Sequence, residues 1–405
     1  MSWIAVTIIS LWIIELGLLF VVRLSRRSFP WLITEQDELP TLDENALQKF
    51  INYSFDPYLG WVRKPNSSGV EHGQKGEIRF QIDENGCRSN SFNKLTPLIA
   101  AFGDSYVFCR QVEDNETWEA QLSKEKGFGV MNYGVGNYGA DQALLRYEKV
   151  SLPETVRIVI LGFVPESICR IQSYWKHYLE FGNTFAFKPR FVFGSEGKLS
   201  LIENPIKNIN DYASLEDILP RVQKLDKFYN TKFRSLQFRI PYALSFMRNP
   251  IRQIKLITAI GFRGILRYLG LNSTWSENLP FTLVMKDNIK EAHNFYSDKD
   301  STDLLKAIIL RFKKATSSRG HIPLVLLMPQ LLDLKFAKDK SSPYQEFFRQ
   351  MSLLLPVIDL TNSFANEEID KLYINDQYGG HLSPAGNLLV AMEITEWLKK
   401  TDLKL

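Results

Sequence analysis

Cysteine is nearly absent. Cys87, Cys109 and Cys169 are the only three in 405 residues. They include no Cys-x-x-Cys pair, which argues against a zinc or thiol-redox motif, and at most one disulfide could form. Histidine is almost as scarce, with five: His72, His177, His293, His321 and His381. An excess of one charge is also missing. The chain has 49 Lys and Arg against 45 Asp and Glu, a net +4, too mild an average for a dedicated nucleic-acid binder. No repeat at a fixed period is evident. With 45% hydrophobic and 23% charged residues, the composition excludes a disordered tail, collagen or a low-complexity filament.

The first feature that is present is apolar. Residues 3–22 read WIAVTIISLWIIELGLLFVV, a 20-residue run with one charge, Glu15. As a helix it would span roughly 30 Å, the thickness of a hydrocarbon core. Arg23, Arg26 and Arg27 follow at once, with Trp31 as an interfacial ring. A cleaved signal peptide fits less well. No Lys or Arg precedes the run, the run is too long, and no small-residue cleavage site follows. The expectation is therefore a single-pass anchor at 1–28. Its positive flank lies after the helix, which favours a cytoplasmic soluble domain, and unpaired cysteines suit that compartment. Glu15 reads equally as a functional group pairing with another helix or as a snorkelling side chain.

Residues 29–95 are polar and turn-rich, with short strand-like stretches at 55–62 and 78–82 and a turn at Asp83-Glu84-Asn85-Gly86. They read as a small β-rich preface. From Pro97 the pattern becomes strand–helix. Apolar runs at 98–102, 129–131, 156–161, 322–328 and 354–360 alternate with helical periods from Thr117 to Leu122, Ala140 to Val150 and Pro384 to Lys400. Such alternation predicts a mostly parallel sheet covered on both faces, with ligands at the strand C-termini. The third and fourth runs lie too far apart for one crossover. Residues of about 180–300 are therefore expected to be a helical insertion, followed by a crossover helix at 301–317.

Three segments at expected strand ends carry the chemistry. Phe102-Gly103-Asp104-Ser105-Tyr106 places a serine on a strand-to-helix turn, where its hydroxyl can enter a cleft and its N–H can face a developing oxyanion. Asn132-Tyr133-Gly134-Val135-Gly136-Asn137-Tyr138-Gly139 has the glycines for close backbone approach. In isolation this loop reads equally as a tight turn. It lacks the downstream acid of a dinucleotide fingerprint. Asp376-Gln377-Tyr378-Gly379-Gly380-His381 supplies a histidine that could activate Ser105 and an acid that could orient it. Ser383-Pro384 then reads as an N-cap with a helix-starting proline.

With these residues the sequence resembles the SGNH (GDSL-type) hydrolase superfamily over about 96–170 and 320–400. The resemblance implies an α/β fold, a three-layer α/β/α, flavodoxin-like domain over 96–405. It implies Ser105 as nucleophile, His381 as base and Asp376 as the orienting acid. Asn137 stands where many members carry the oxyanion glycine, and only its N–H is needed there. Ser167 stands where members usually carry the oxyanion asparagine. The usual Asp-x-x-His spacing is stretched, with Tyr378 at the usual Asp position. The arrangement is also similar to membrane-anchored members associated with surface polysaccharides, which remove or transfer O-acyl groups. The implied activity is a serine esterase acting on an O-acylated glycan or lipid-linked substrate, without metal or cofactor. An O-acyltransferase, or a catalytically weak carbohydrate-binding or assembly protein, is the alternative.

The mild net charge hides a block. Eleven Lys and Arg and one acid, Asp226, lie between Arg221 and Arg267. Aromatic and aliphatic residues interleave them. The pattern suits an anionic membrane surface or an acidic glycan, a solvated helical insertion being the plainer reading. A nucleic acid is not expected as a partner, since no reader motif accompanies the block.

Overall fold

The computed structural model describes residues 3–29, 39–73, 76–194, 197–336, 342–374 and 380–401. Trp31 lies outside them. Contacts divide the chain into two units. One comprises Lys49–Gln172, Lys188–Asn204 and Lys286–Leu405; the other comprises Met1–Gln48, Ser173–Phe187 and Pro205–Met285.

The first unit is built on a five-stranded parallel sheet. Its strands are β1 (Pro97–Gly103), β2 (Gly129–Gly134), β3 (Ile158–Phe163), β4 (Ile322–Leu327) and β5 (Val357–Asp359). They lie in the order β5-β4-β3-β1-β2, every neighbouring pair parallel. After β1 the chain moves to β2 on one side, then returns past β1 to β3 on the other. That reversal opens a crevice beyond the C-terminal ends of β1 and β3, where ligands bind in open sheets of this kind.

The helices that pack on the sheet include α1 (Trp118–Lys126), α2 (Ala140–Lys149), α3 (Lys299–Ser318) and α4 (Pro384–Lys400). Side chains alternate across a strand, and the burial follows. Ile99 and Ala101 of β1 share an apolar cluster with Ile158, Ile160, Leu324 and Leu326, joined by Trp118 and Leu122 of α1 and Val390 and Ile394 of α4. Phe102, in the alternate register, stacks on Tyr133 and meets Tyr147 of α2 edge-on, and Tyr147 in turn meets Phe312 of α3.

The caps follow their chemistry. Thr117 Oγ1 accepts the Ala120 N–H to start α1, and Gly127, at φ +74°, ends it. Ser383 Oγ accepts the Gly386 N–H, and Pro384 opens α4. The last strand is shorter than the apolar run 354–360 suggests. Leu354 instead closes the helix Pro343–Met351, its N–H bonded to the Met351 carbonyl and its own carbonyl taken by Lys313 Nζ.

Ahead of the sheet lie two hairpins, Phe55–Asp56 with Gly60–Trp61 and Ser67–Gly73 with Gly76–Ile82. The turn at 83–86 forms with Asp83 Oδ1 accepting the N–H groups of Asn85 and Cys87. The strand Ser67–Gly73 escapes a hydrophobicity reading because Ser67, Ser68, Gly69 and Gly73 supply little apolar signal. The insertion is not wholly helical, which corrects the expectation for 180–300. It opens with a hairpin, Arg190–Phe193 paired with Leu199–Ile202. Aromatic and β-branched residues at 191–193 favour strand there, and Gly197, at φ +68°, helps turn the chain.

The second unit holds the N-terminal helix Trp3–Ser28 and the insertion helices Leu215–Leu225, Tyr242–Arg248 and Pro250–Tyr268. Helix Trp3–Ser28 is long and apolar enough to cross a membrane. Its C-terminal half packs on the insertion, with Val22 and Phe29 in one cluster with Phe238, Tyr242, Leu256 and Ile260. Glu15, the single charge of the apolar run, accepts the N–H groups of Tyr242 and Ala243 at 2.6 and 2.8 Å. It thereby caps helix Tyr242–Arg248 from another element. The pairing alternative for Glu15 is the one observed.

Candidate active site

Ser105 follows β1 directly, at the crevice. Its Oγ lies 3.0 Å from Nε2 of His381. The two residues are 276 positions apart in sequence, and each is 7% exposed. Both residues are therefore largely shielded from water. Burial, with Arg110 and Arg170 nearby, depresses the His381 pKa to about 3. The ring is neutral at neutral pH, and with its proton on Nδ1 its Nε2 can accept the Ser105 proton. Nδ1 has no hydrogen-bond partner among the described residues. Asp376, the expected orienting acid, lies outside the described residues.

What holds Ser105 there is the absence of side chains beside it. A Cβ on Gly134 would lie 2.1 Å from the Phe108 nitrogen; one on Gly103, 2.0 Å from the Gly162 oxygen; one on Gly162, 2.5 Å from Val107 Cγ2. Three glycines at adjacent strand ends thus let the segment after Ser105 settle directly onto the sheet edge. That segment is strained. Cys109 and Gln111 adopt φ of +56° and +76°, which costs on the order of 1–3 kcal/mol each for a non-glycine residue. Arg88 compensates. Its guanidinium donates to the carbonyls of Phe108, Cys109 and Val112 and to Asp114 Oδ1, all within 2.8 Å.

The neighbouring loops are tied to the same point. Asp104 is fully buried. Its Oδ1 accepts the Tyr106 N–H, and its Oδ2 accepts the Val164 N–H and a bond from Arg170. Arg170 also donates to Glu166 Oε2 and to the Tyr138 carbonyl. One guanidinium therefore joins the loops that follow β1, β2 and β3. Burial raises the Asp104 pKa, with Arg170 opposing. On the histidine side, Tyr106 donates to the Gly380 carbonyl at 2.7 Å, and its ring lies 5.3 Å from that of His381. Gly380, at φ +82°, allows the chain to turn there.

The two other expected site residues lie on the loops after β2 and β3, which flank β1. Asn137 is exposed at a turn closed by Tyr138 N–H to the Val135 carbonyl, with φ of +68°. A turn with φ > 0 at its third residue favours Gly or Asn, which accounts for the residue type. Trp61 Nε1 secures this loop through the Gly136 carbonyl. Among the described residues no acceptor takes the N–H of Ser105 or of Asn137. Ser167 is fully buried, and its Oγ accepts the Ala140 N–H at the start of α2. Its hydroxyl proton remains available, but the residue also has a structural task that the sequence does not announce.

Sequence reasoning missed Arg88, Asp104, Tyr106 and Arg170. Asp104 and Tyr106 flank the serine and could have been found by adjacency. Arg88 and Arg170 carry no local signal, because their partners are backbone carbonyls and acids brought close only by the fold. Among the described residues no His, Cys, Asp and Glu group could hold a metal ion. A cavity of about 490 Å³ lies at the other edge of the sheet, lined in part by Arg157, Arg319 and His321, which precede β3 and β4.

No protein-family model and no curated protein sequence matches the chain. Among solved structures, one from Desulfitobacterium hafniense DCB-2, whose description places it in the G-D-S-L family of lipolytic proteins, overlaps at TM-score 0.31 and 12% identity. The overlap covers 74% of this chain and 98% of that one. A second solved structure overlaps at TM-score 0.34 and 15% identity, over 77% of this chain and 99% of its own. Overlap at that level assigns no family.

Proposed function

We propose that the chain is a membrane-anchored serine ester hydrolase of the SGNH type. The observation that carries this reading is the 3.0 Å contact between Ser105 Oγ and His381 Nε2, at the crevice where the sheet order reverses. Helices on both sheet faces fit a three-layer α/β/α domain over 96–405, with 29–95 as its preface and 1–28 as the anchor. Ser105 attacks an ester carbonyl while His381 takes its proton. His381 then returns the proton to the leaving alcohol, and Asp376 steadies the imidazolium. The N–H groups of Ser105 and Asn137 and the Ser167 hydroxyl are the oxyanion donors. Water releases the acid in the second step.

The substrate class we propose is an O-acylated glycan or a lipid-linked sugar. The positive flank after the helix favours a cytoplasmic domain. An O-acyltransferase uses the same first step and differs only in the second acceptor.

The test uses the purified full chain with 4-nitrophenyl acetate and a fluorophosphonate probe. Ser105→Ala should abolish labelling and lower turnover by at least about 10³-fold. Equal labelling of wild type and Ser105→Ala would overturn the proposal. Turnover that requires a sugar acceptor would favour the transferase, and sugar binding without any turnover would favour a binding protein.

A further inference from the structure

Helix Pro250–Tyr268 is apolar on two faces. One face, with Leu256, Ala259 and Ile260, is buried within its own unit. The other carries Ile251, Ile254, Phe262, Ile265 and Leu269, each between 41% and 70% exposed. At about 100° per residue these five fall within an arc of roughly 80°. A soluble helix presents polar residues there. Within that arc Thr258 is the one polar residue, and an exposed apolar stripe of this kind marks a surface that meets an apolar partner or a membrane.

Three observations identify the cover. The first is continuity with the N-terminal helix. Val22 and Phe29 share a cluster with Leu256 and Ile260, and Glu15 caps the adjacent helix Tyr242–Arg248. The second is depth. Glu15 stands eight residues before Arg23, about 12 Å along a helix axis. Helix Tyr242–Arg248 therefore starts beside the apolar part of the N-terminal helix, not beside its arginines. The third is charge. Arg248 and Lys255 are exposed, Lys255 about 20° beyond the edge of the stripe at 100° per residue, while Arg267 lies on the opposite side, paired with Glu277 at 3.5 Å. Arg263 points inward, paired with Glu277 at 2.6 Å and lying over the Phe29 ring.

We infer that helices Tyr242–Arg248 and Pro250–Tyr268 form a second membrane element, seated in the headgroup–acyl boundary of an anionic bilayer beside the N-terminal helix. The stripe of Ile251, Ile254, Phe262, Ile265 and Leu269 faces the acyl chains. Such helices bury their apolar face by ~5–10 Å, with basic residues on anionic headgroups. The inference does not depend on ester chemistry at Ser105.

The experiment places an environment-sensitive NBD label at Ile254→Cys and at Ile265→Cys in the full chain, reconstituted in phosphatidylcholine–phosphatidylglycerol vesicles. Leu353→Cys, 79% exposed in the sheet unit, is the aqueous reference. The native cysteines are all buried, and unsubstituted protein gives the labelling blank. Matching thermal unfolding of labelled and unlabelled chains confirms the fold. Acyl-chain spin labels should quench positions 254 and 265 at least about twofold more than 353, and iodide correspondingly less, as burial at that depth requires. Quenching equal to that at 353 would overturn the inference. So would iodide protection that disappears on dilution of protein in lipid, which would mark a second copy as the occupant. The same labels in Ser105→Ala should read unchanged, separating this result from the fate of the esterase proposal.

Discussion

His381 is neutral because it is buried, and for the base role proposed for it that has a direct kinetic consequence. A general base works only while unprotonated. A pKa lowered from 6.5 to about 3 extends the neutral form to lower pH. The acid limb of kcat/KM should therefore fall well below pH 6.5, measured with a neutral ester substrate. A limb at or above 6.5 would mean that the imidazole is not held as described. Glycine at 134 makes a second residue-scale claim. The Gly134→Ala Cβ meets backbone at 2.1 Å and nothing flexible can yield. A loss of about 1–3 kcal/mol is expected, together with a fall in the proposed turnover, because the displaced residues Val107 and Phe108 follow closely on Ser105. Gly136→Ala, with nothing within 4 Å, should change thermal stability little by comparison. At this scale the sequence was most legible for the pair that the fold brings to 3.0 Å. Ser105 and His381 could be named from adjacency to glycine and strand ends. Arg88 could not, since its role is to hold three carbonyls that only the folded loop brings together.

At the scale of elements, the strands and their helices were readable because continuous apolar runs and helical periods differ in length and pattern. Helix Pro384–Lys400 was legible to the residue, since Ser383 and Pro384 punctuate its start. The hairpin within the insertion was not, because a basic, aromatic-rich composition dominated the reading of the whole segment. Glu15 presents the opposite case. Its position in an apolar run was plain, but its partners are backbone N–H groups 227 and 228 residues away. Glu15→Ala leaves those two N–H groups without their carboxylate. A loss of about 1–3 kcal/mol is expected, read as a lower unfolding midpoint of the full chain in detergent micelles. Glu15→Gln, which keeps one acceptor oxygen, should lose less. An unchanged midpoint in both would show that the cap does not contribute.

For the whole molecule, buried histidines link stability to pH. His177 lies among Trp175, Tyr178 and Phe233, with Nδ1 accepting the Gly182 N–H. Burial lowers its pKa to about 3, as it does for His381. The unfolded chain, with histidine near 6.5, binds these protons when the native chain does not. Native stability is thus full above pH 6.5 and falls as pH drops from there toward 3. Urea unfolding should show that slope, and His177→Gln should flatten it by up to about one proton. An unaltered slope would count against a neutral, buried His177.

The Glu15 cap also sets an order of events in time. Synthesis proceeds from the N-terminus at about 5–20 residues per second, so roughly 10–50 s separate the emergence of Glu15 from that of Tyr242, 227 residues later. Through that interval the N-terminal helix has its acid and no partner for it. An acidic residue at the centre of a span costs on the order of 3 kcal/mol. If that helix spans a membrane as proposed, the flanking isoleucines, leucines and valines carry that cost unaided until the insertion arrives. On the membrane-anchored reading proposed above, the N-terminal helix would enter a membrane alone and be completed afterwards by its own distant sequence.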